Sequence, residues 1–129
     1  MSQNIKEFTD LKAWQESHKL CLYIYKLTQN FPKSELFVLR SQITRAAISI
    51  SSNIAEGFGR YSYNEKKQFY RIALGSLMEV RNQLILARDL EYISGFEYLE
   101  ADQSINLLGK LINGLIKNSI KQASFKTNY

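Results

Sequence analysis

The chain has 129 residues, of which 45% are apolar and 22% charged, with one proline and six glycines. That balance suits one packed domain and excludes a disordered chain or a two-domain protein. A single cysteine excludes an internal disulfide and a multi-thiolate metal site, and no apolar run resembles a signal-peptide core or a membrane span. The expected location is the cytoplasm, without membrane contact, and the net charge of +5 is the first hint of an anionic partner.

In chain order, Leu11, Trp14, His18, Cys21, Tyr25 and Thr28 recur at spacings of three and four, which predicts a helix over about 10–30 with this stripe as its apolar face. Asn30, Phe31, Pro32 and Lys33 break the pattern. Ser34 then offers a hydroxyl to cap a second helix, predicted over about 35–57. Its stripe is Leu36, Leu39, Ile43, Ala46, Ala47, Ile50 and Ile54, and Gly57 and Gly59 mark its end. Ser62 and Glu65 read as a capping box opening a third helix over about 63–92, with a seam of Phe69, Ala73, Ser76, Val80, Gln83, Ala87 and Leu90. Ser94 and Glu97 repeat that box before a fourth helix over about 96–121, striped by Ile105, Leu108, Ile112, Leu115 and Ile116. Nothing in the pattern reads as a strand. The fold class expected is all-α, an antiparallel up-down-up-down four-helix bundle spanning residues 1–129 as one domain.

More apolar surface is present than one bundle buries. On the fourth helix, apolar positions from Ile105 to Ile120 cover about 220° of the circumference, where a surface helix needs a stripe somewhat over 100° wide. The third helix carries a second heptad-spaced seam, Lys67, Arg71, Leu74, Met78, Arg81, Ile85 and Arg88, mixing apolar with basic residues. Both features point to self-association. Residues 103–129 hold Lys110, Lys117, Lys121 and Lys126 without one Asp or Glu, so the C-terminal part is the basic one.

Helix two also carries a polar stripe beside its apolar one. Arg45, Ser49, Asn53 and Glu56, with Ser76 and Glu79 of helix three, are expected to form a structural polar network that fixes which helices pack together. Acid–base catalysis by Glu56 or Glu79 has no support, because no nucleophile and base accompany them. The di-iron bundle pattern of Glu and His three apart is absent, since Glu16 precedes His18 by two residues. His18 is expected to serve as a core or interface histidine. No P-loop, dinucleotide fingerprint, zinc-finger spacing or nucleophile elbow occurs. No catalytic residue, cofactor or metal ligand is therefore assigned, and the chain is read as a non-enzyme.

Several motifs together resemble a known family: Phe8, Thr9, Asp10 and Leu11; Trp14; Phe31 with Pro32; the run RAAISISSNIAEG from Arg45 to Gly57; Arg60; and Ile72 to Ser76 with Glu79. The chain is similar to the four-helix bundle proteins encoded in intervening sequences of 23S ribosomal RNA genes. That family is similar to the accessory proteins of diversity-generating retroelements, whose bundles form a five-membered barrel with a basic surface contacting nucleic acid and reverse transcriptase. The resemblance implies a homopentamer; it implies no enzymatic activity.

Two functions follow as expectations. In the first, the oligomer is a nucleic-acid-binding accessory protein, with Arg71, Arg81, Arg88, Lys110, Lys117 and Lys121 contacting phosphates of RNA or DNA. In the second, it is a protein-interaction scaffold whose apolar faces bind another protein and whose positive charge is incidental.

Overall fold

The protein's structure, a computed structural model, describes residues 4–127. Four α-helices account for most of them: α1 (Lys12–Thr28), α2 (Leu39–Gly59), α3 (Tyr63–Asp89) and α4 (Gly95–Thr127), with short 3-10 turns at Phe8–Asp10 and Lys33–Glu35. No strand occurs among the described residues. Pairings between helices give their directions. Arg88 lies over Tyr98, Arg81 pairs with Asp102 and Leu77 meets Gly109, so α3 and α4 run antiparallel. Gly57 against Tyr70 and Ser49 against Ser76 show the same for α2 and α3. The Tyr23 hydroxyl donates to Glu100 at 2.9 Å and ties α1 to α4.

Local chemistry sets the helix ends. Ser62 Oγ accepts the amide of Glu65 at 3.1 Å. At the start of α4 the capping box is complete, with Glu97 N–H donating to Ser94 Oγ at 3.1 Å and Ser94 N–H donating to the Glu97 carboxylate at 2.8 Å. The end of α3 closes with Glu91 at φ 63 and the Tyr92 amide donating back to Ala87 O at 2.8 Å, a Schellman closure in which a non-glycine residue takes the left-handed position. Helix two departs from expectation at its start. Ser34 sits inside the 3-10 turn and caps nothing, Val38 is the N-cap of α2, and Leu36 is exposed rather than part of the buried stripe. The spacing of three from Leu36 to Leu39 imitates a helical turn, while Pro32 starts a tighter one in which Glu35 N–H donates to Pro32 O at 2.9 Å.

The core is built around Leu20, Ile24, Ile43, Ile50, Leu77 and Leu84, each at 2% exposure or less. On α1 the buried face is Ala13, Ser17, Leu20, Ile24 and Leu27. The stripe expected there runs along one edge of that buried face: Leu11, Trp14 and Cys21 are half-buried and pack against the core, Thr28 is buried, and His18 and Tyr25 are exposed. His18 is a surface residue stacked on Trp14, with centroids 4.9 Å apart and planes 9° from parallel. Of the two places expected for it, core or interface, the core is thereby excluded.

Gly57 shows why the α2 terminus tolerates no side chain. A Cβ there would stand 2.7 Å and 3.0 Å from ring carbons of Tyr70 and 3.1 Å from Phe69 Cβ, and Tyr70 is only 4% exposed and unable to swing aside. Gly57→Ala is expected to destabilise by about 1–3 kcal/mol through overpacking. Gly59→Ala, which meets nothing within 4 Å, is expected to be neutral or better, and thermal denaturation of the two variants checks the contrast. Burial pushes the Tyr70 phenol up to about 12, with Tyr63 adding to it. Burial, then the bond to Glu100, does the same to Tyr23, also about 12. Because both folded values lie above the ordinary phenol value, their contribution to stability is complete below about pH 10 and is lost as pH rises towards 12. In an ultraviolet phenolate titration these two of the eight tyrosines should ionise last, and Tyr23→Phe should remove one late step.

Candidate functional site

Two surfaces carry the polar residues singled out by the sequence, the α2–α3 groove and the α3–α4 face. In the groove, Ser49 and Ser76 share a hydrogen bond of 2.8 Å, and the Asn53 amide donates to Ser49 O at 2.8 Å and to Ser49 Oγ at 3.0 Å. Small residues make this possible: Ala46 and Ala47 on α2 and Ala73 on α3 are buried at the same seam, so short hydroxyls can meet across it. Gln83 extends the polar line by donating to the Glu79 carboxylate at 3.4 Å, while its Oε1 is buried without a hydrogen-bond partner among the described residues.

Arg45 and Glu56 stand outside this bonded network. Glu56 pairs at 3.0 Å with Arg60, the residue that caps the end of the same helix. Arg45 is exposed, has no ion pair among the described residues, and lines a cleft of about 500 Å³ with Phe37, Ser41, Ser49, Ser76 and Glu79. The expected six-residue network is therefore a bonded trio of Ser49, Asn53 and Ser76, a separate Gln83–Glu79 bond and an Arg60–Glu56 pair, with Arg45 apart.

On the α3–α4 face the six basic residues behave in two ways. Arg81 Nε donates to Asp102 at 3.1 Å, and Arg88 Nε donates to Asp89 at 3.0 Å while its guanidinium lies 4.5 Å from the centre of the Tyr98 ring. These carboxylate hydrogen bonds raise both guanidinium pKa values above their usual range, and they partly cancel the field that each arginine projects. Arg71, Lys110, Lys117 and Lys121 are exposed and form no ion pair among the described residues. The antiparallel register of α3 on α4 carries Lys67 and Arg71 alongside the α4 segment that holds Lys117. Positive charge is thus concentrated at the lower half of this face, towards the start of α3 and the end of α4, and is weaker near Arg81 and Arg88.

Sequence reasoning misses two further features. Lys66 reaches back to donate to Phe58 O at 2.6 Å and Gly57 O at 3.4 Å, capping the end of α2, and desolvation lowers its pKa. A lysine eight and nine residues beyond the carbonyls it caps has no recognised spacing signal, so only the fold reveals it. Leu36, Phe37 and Val38 form a consecutive apolar run exposed by 42%, 88% and 58%, a pattern uncommon unless used. Among the described residues no three or more His, Cys, Asp or Glu side chains cluster as metal ligands, and no helix is long and apolar enough to cross a membrane.

The Ser49–Ser76 bond joins two helices at a part-buried point. A double-mutant cycle with Ser49→Ala and Ser76→Ala is expected to give a coupling energy of about 1 kcal/mol by chemical denaturation. Additive single effects would show that the two hydroxyls do not stabilise the seam together.

A comparison with curated proteins gave no match. Among solved structures, a protein of unknown function from the S23 ribosomal protein family of Bacteroides thetaiotaomicron is similar, at 26% identity and a TM-score of 0.75, over 81% of this chain and 95% of that one. The model of the 23S rRNA-intervening sequence protein family matches residues 9–114. That span takes in the RAAISISSNIAEG run, both capping boxes and most of α4, and the chain belongs to the 23S rRNA-intervening sequence protein family.

Proposed function

We propose that the protein is a non-enzymatic, self-associating accessory protein of the cytoplasm that binds nucleic acid through the lower half of its α3–α4 face. One observation carries this reading. From Gln103 to Phe125, α4 presents Lys110, Lys117 and Lys121 with no carboxylate among them, and Lys67 and Arg71 of α3 flank the same stretch. A carboxylate-free strip of this kind, some five cations long, suits a phosphate backbone, whose charges recur every few ångströms. Binding through it reads charge and shape, because neither a recognition helix of the helix-turn-helix kind nor a stacking RNA-recognition sheet is present among the described residues. Arg81 and Arg88 contribute less, since each must give up or share a carboxylate partner to meet phosphate.

A scaffold function is favoured by a different observation. Phe37, Phe96 and Leu99 are exposed by 88%, 70% and 60% and belong to the end of the bundle remote from Lys117, where α2 and α4 begin. If protein binding there is the whole function, nucleic-acid affinity will be no greater than charge alone produces.

Titration of the purified protein against structured RNA, single-stranded RNA and duplex DNA at several salt concentrations decides the matter. A helical protein of equal charge serves as the control. Binding tighter than the control is expected, with log affinity falling linearly in log salt. Replacing Arg71, Lys117 and Lys121 by Gln should make that slope shallower by about 0.7–0.9 for each phosphate no longer neutralised, and replacing Arg81 and Arg88 should change it less. Affinity equal to the control, or a slope unmoved by the triple substitution, overturns the proposal.

A further inference from the structure

We infer that the cleft between α2 and α3 holds a free α-amino acid with a large apolar side chain, its carboxylate on Arg45, its ammonium on Glu79 and its side chain along Phe37. Helix register places the two charges. Ser49 on α2 bonds Ser76 on α3 at 2.8 Å, Arg45 lies four residues before Ser49, and Glu79 lies three after Ser76. Because the two helices run antiparallel, Arg45 and Glu79 stand at one level on opposite walls of the same cleft, which the two serines also line.

Opposite charges so placed would ordinarily pair, yet neither forms an ion pair among the described residues. The walls are held apart. Ser49, Ser76 and Asn53 fix the spacing of the helices next to this level. Glu79 is drawn along its own helix towards Gln83, whose side-chain amide donates to Glu79 Oε1 at 3.4 Å. Gln83 is only 7% exposed, so the carboxylate is anchored from the core side. What remains is a cleft of about 500 Å³, a volume suited to a small molecule, with a cation on one wall and an anion on the other.

That pair of charges selects the ligand. A phosphate or an isolated carboxylate drawn to Arg45 is repelled by Glu79, and an isolated cation drawn to Glu79 is repelled by Arg45. The cleft is therefore unlike the lysine strip, where no carboxylate opposes a phosphate backbone. A molecule that carries both charges a few ångströms apart satisfies both walls, and a free α-amino acid carries them on one carbon. The guanidinium fork of Arg45 can give a carboxylate two parallel N–H donors. The ammonium has three donors, enough for Glu79 and for the hydroxyl oxygen of Ser76. A peptide, whose termini lie far apart, answers only one of the two charges. Phe37 decides the side chain. It lines the cleft beyond Ser41, just before the first turn of α2, and is 88% exposed. Covering that ring is the largest apolar gain the cleft offers, and a long or aromatic side chain is needed to reach it from Arg45.

Isothermal titration of the full chain with L-phenylalanine tests the site, and saturable one-to-one binding is expected. N-acetyl-L-phenylalanine lacks the ammonium and L-phenylalaninamide lacks the carboxylate. Each should bind at least about tenfold more weakly, because each loses hydrogen bonds to a charged group. Arg45→Gln and Glu79→Gln should weaken phenylalanine to a similar extent with helical circular dichroism unchanged, since both side chains are exposed. Phe37→Ala should reduce the preference for phenylalanine over L-alanine, and Lys117→Gln should leave binding as it is. Absence of saturable binding by phenylalanine, leucine and tyrosine alike overturns the inference. So does a blocked analogue that matches phenylalanine, binding that survives both charge substitutions, or inorganic phosphate binding more tightly than phenylalanine.

Discussion

The register of α2 on α3 is the constraint from which the other placements follow. It is set where side chains are smallest: Gly57 lets the ring of Tyr70 approach its backbone, and Ala46, Ala47 and Ala73 keep the seam narrow enough for the Ser49 and Ser76 hydroxyls to bond directly at 2.8 Å. A hydroxyl pair with Asn53 behind it tolerates little sliding, since a shift by one turn would leave part-buried donors and acceptors without partners. Helix α4 is then laid against the opposite flank of α3 by Leu77 on Gly109 and by Arg81 on Asp102. The position of the lysine strip beside Lys67 and Arg71 is a consequence of that second register. Lys66 links the two levels, because its ammonium closes the carbonyl end of α2 from the first turns of α3.

The helices distribute charge unequally around the bundle. The charges of α1 lie on the flank of that helix that carries Tyr23, and those of α2 beyond Arg40 on the flank that carries Ser49, which leaves the outer α1–α2 surface poor in charge. Carboxylates gather where α3 gives way to α4, at Asp89, Glu91, Glu97, Glu100 and Asp102, and the remainder of α4 is basic. Coulomb interactions alone make such a molecule anisotropic. Anions are drawn to one end of one face.

Much of this is legible in the sequence, and the failures have specific causes. Four helices, two serine–glutamate boxes and the α2 stripe from Leu39 to Ile54 are local patterns, and local patterns survive folding. The stripe read on α1 lies along one edge of the buried face, with Leu11, Trp14 and Cys21 packed against the core and His18 and Tyr25 exposed. Trp14, Cys21 and Tyr25 are larger than Ala13 and Ser17, so periodicity weighted by side-chain size favours that edge over the centre of the buried face. A core face lined by small residues gives a weak signal, and a flank lined by aromatics gives a strong one. His18 and Tyr25 within the stripe are the available clue, because both carry polar atoms that suit a surface better than a core. The partners of Arg81 and Glu56 need geometry that one sequence does not supply. Asp102 lies 21 residues from Arg81 and is reached only through helix register, and Arg60 takes the Glu56 carboxylate that the polar network would otherwise use.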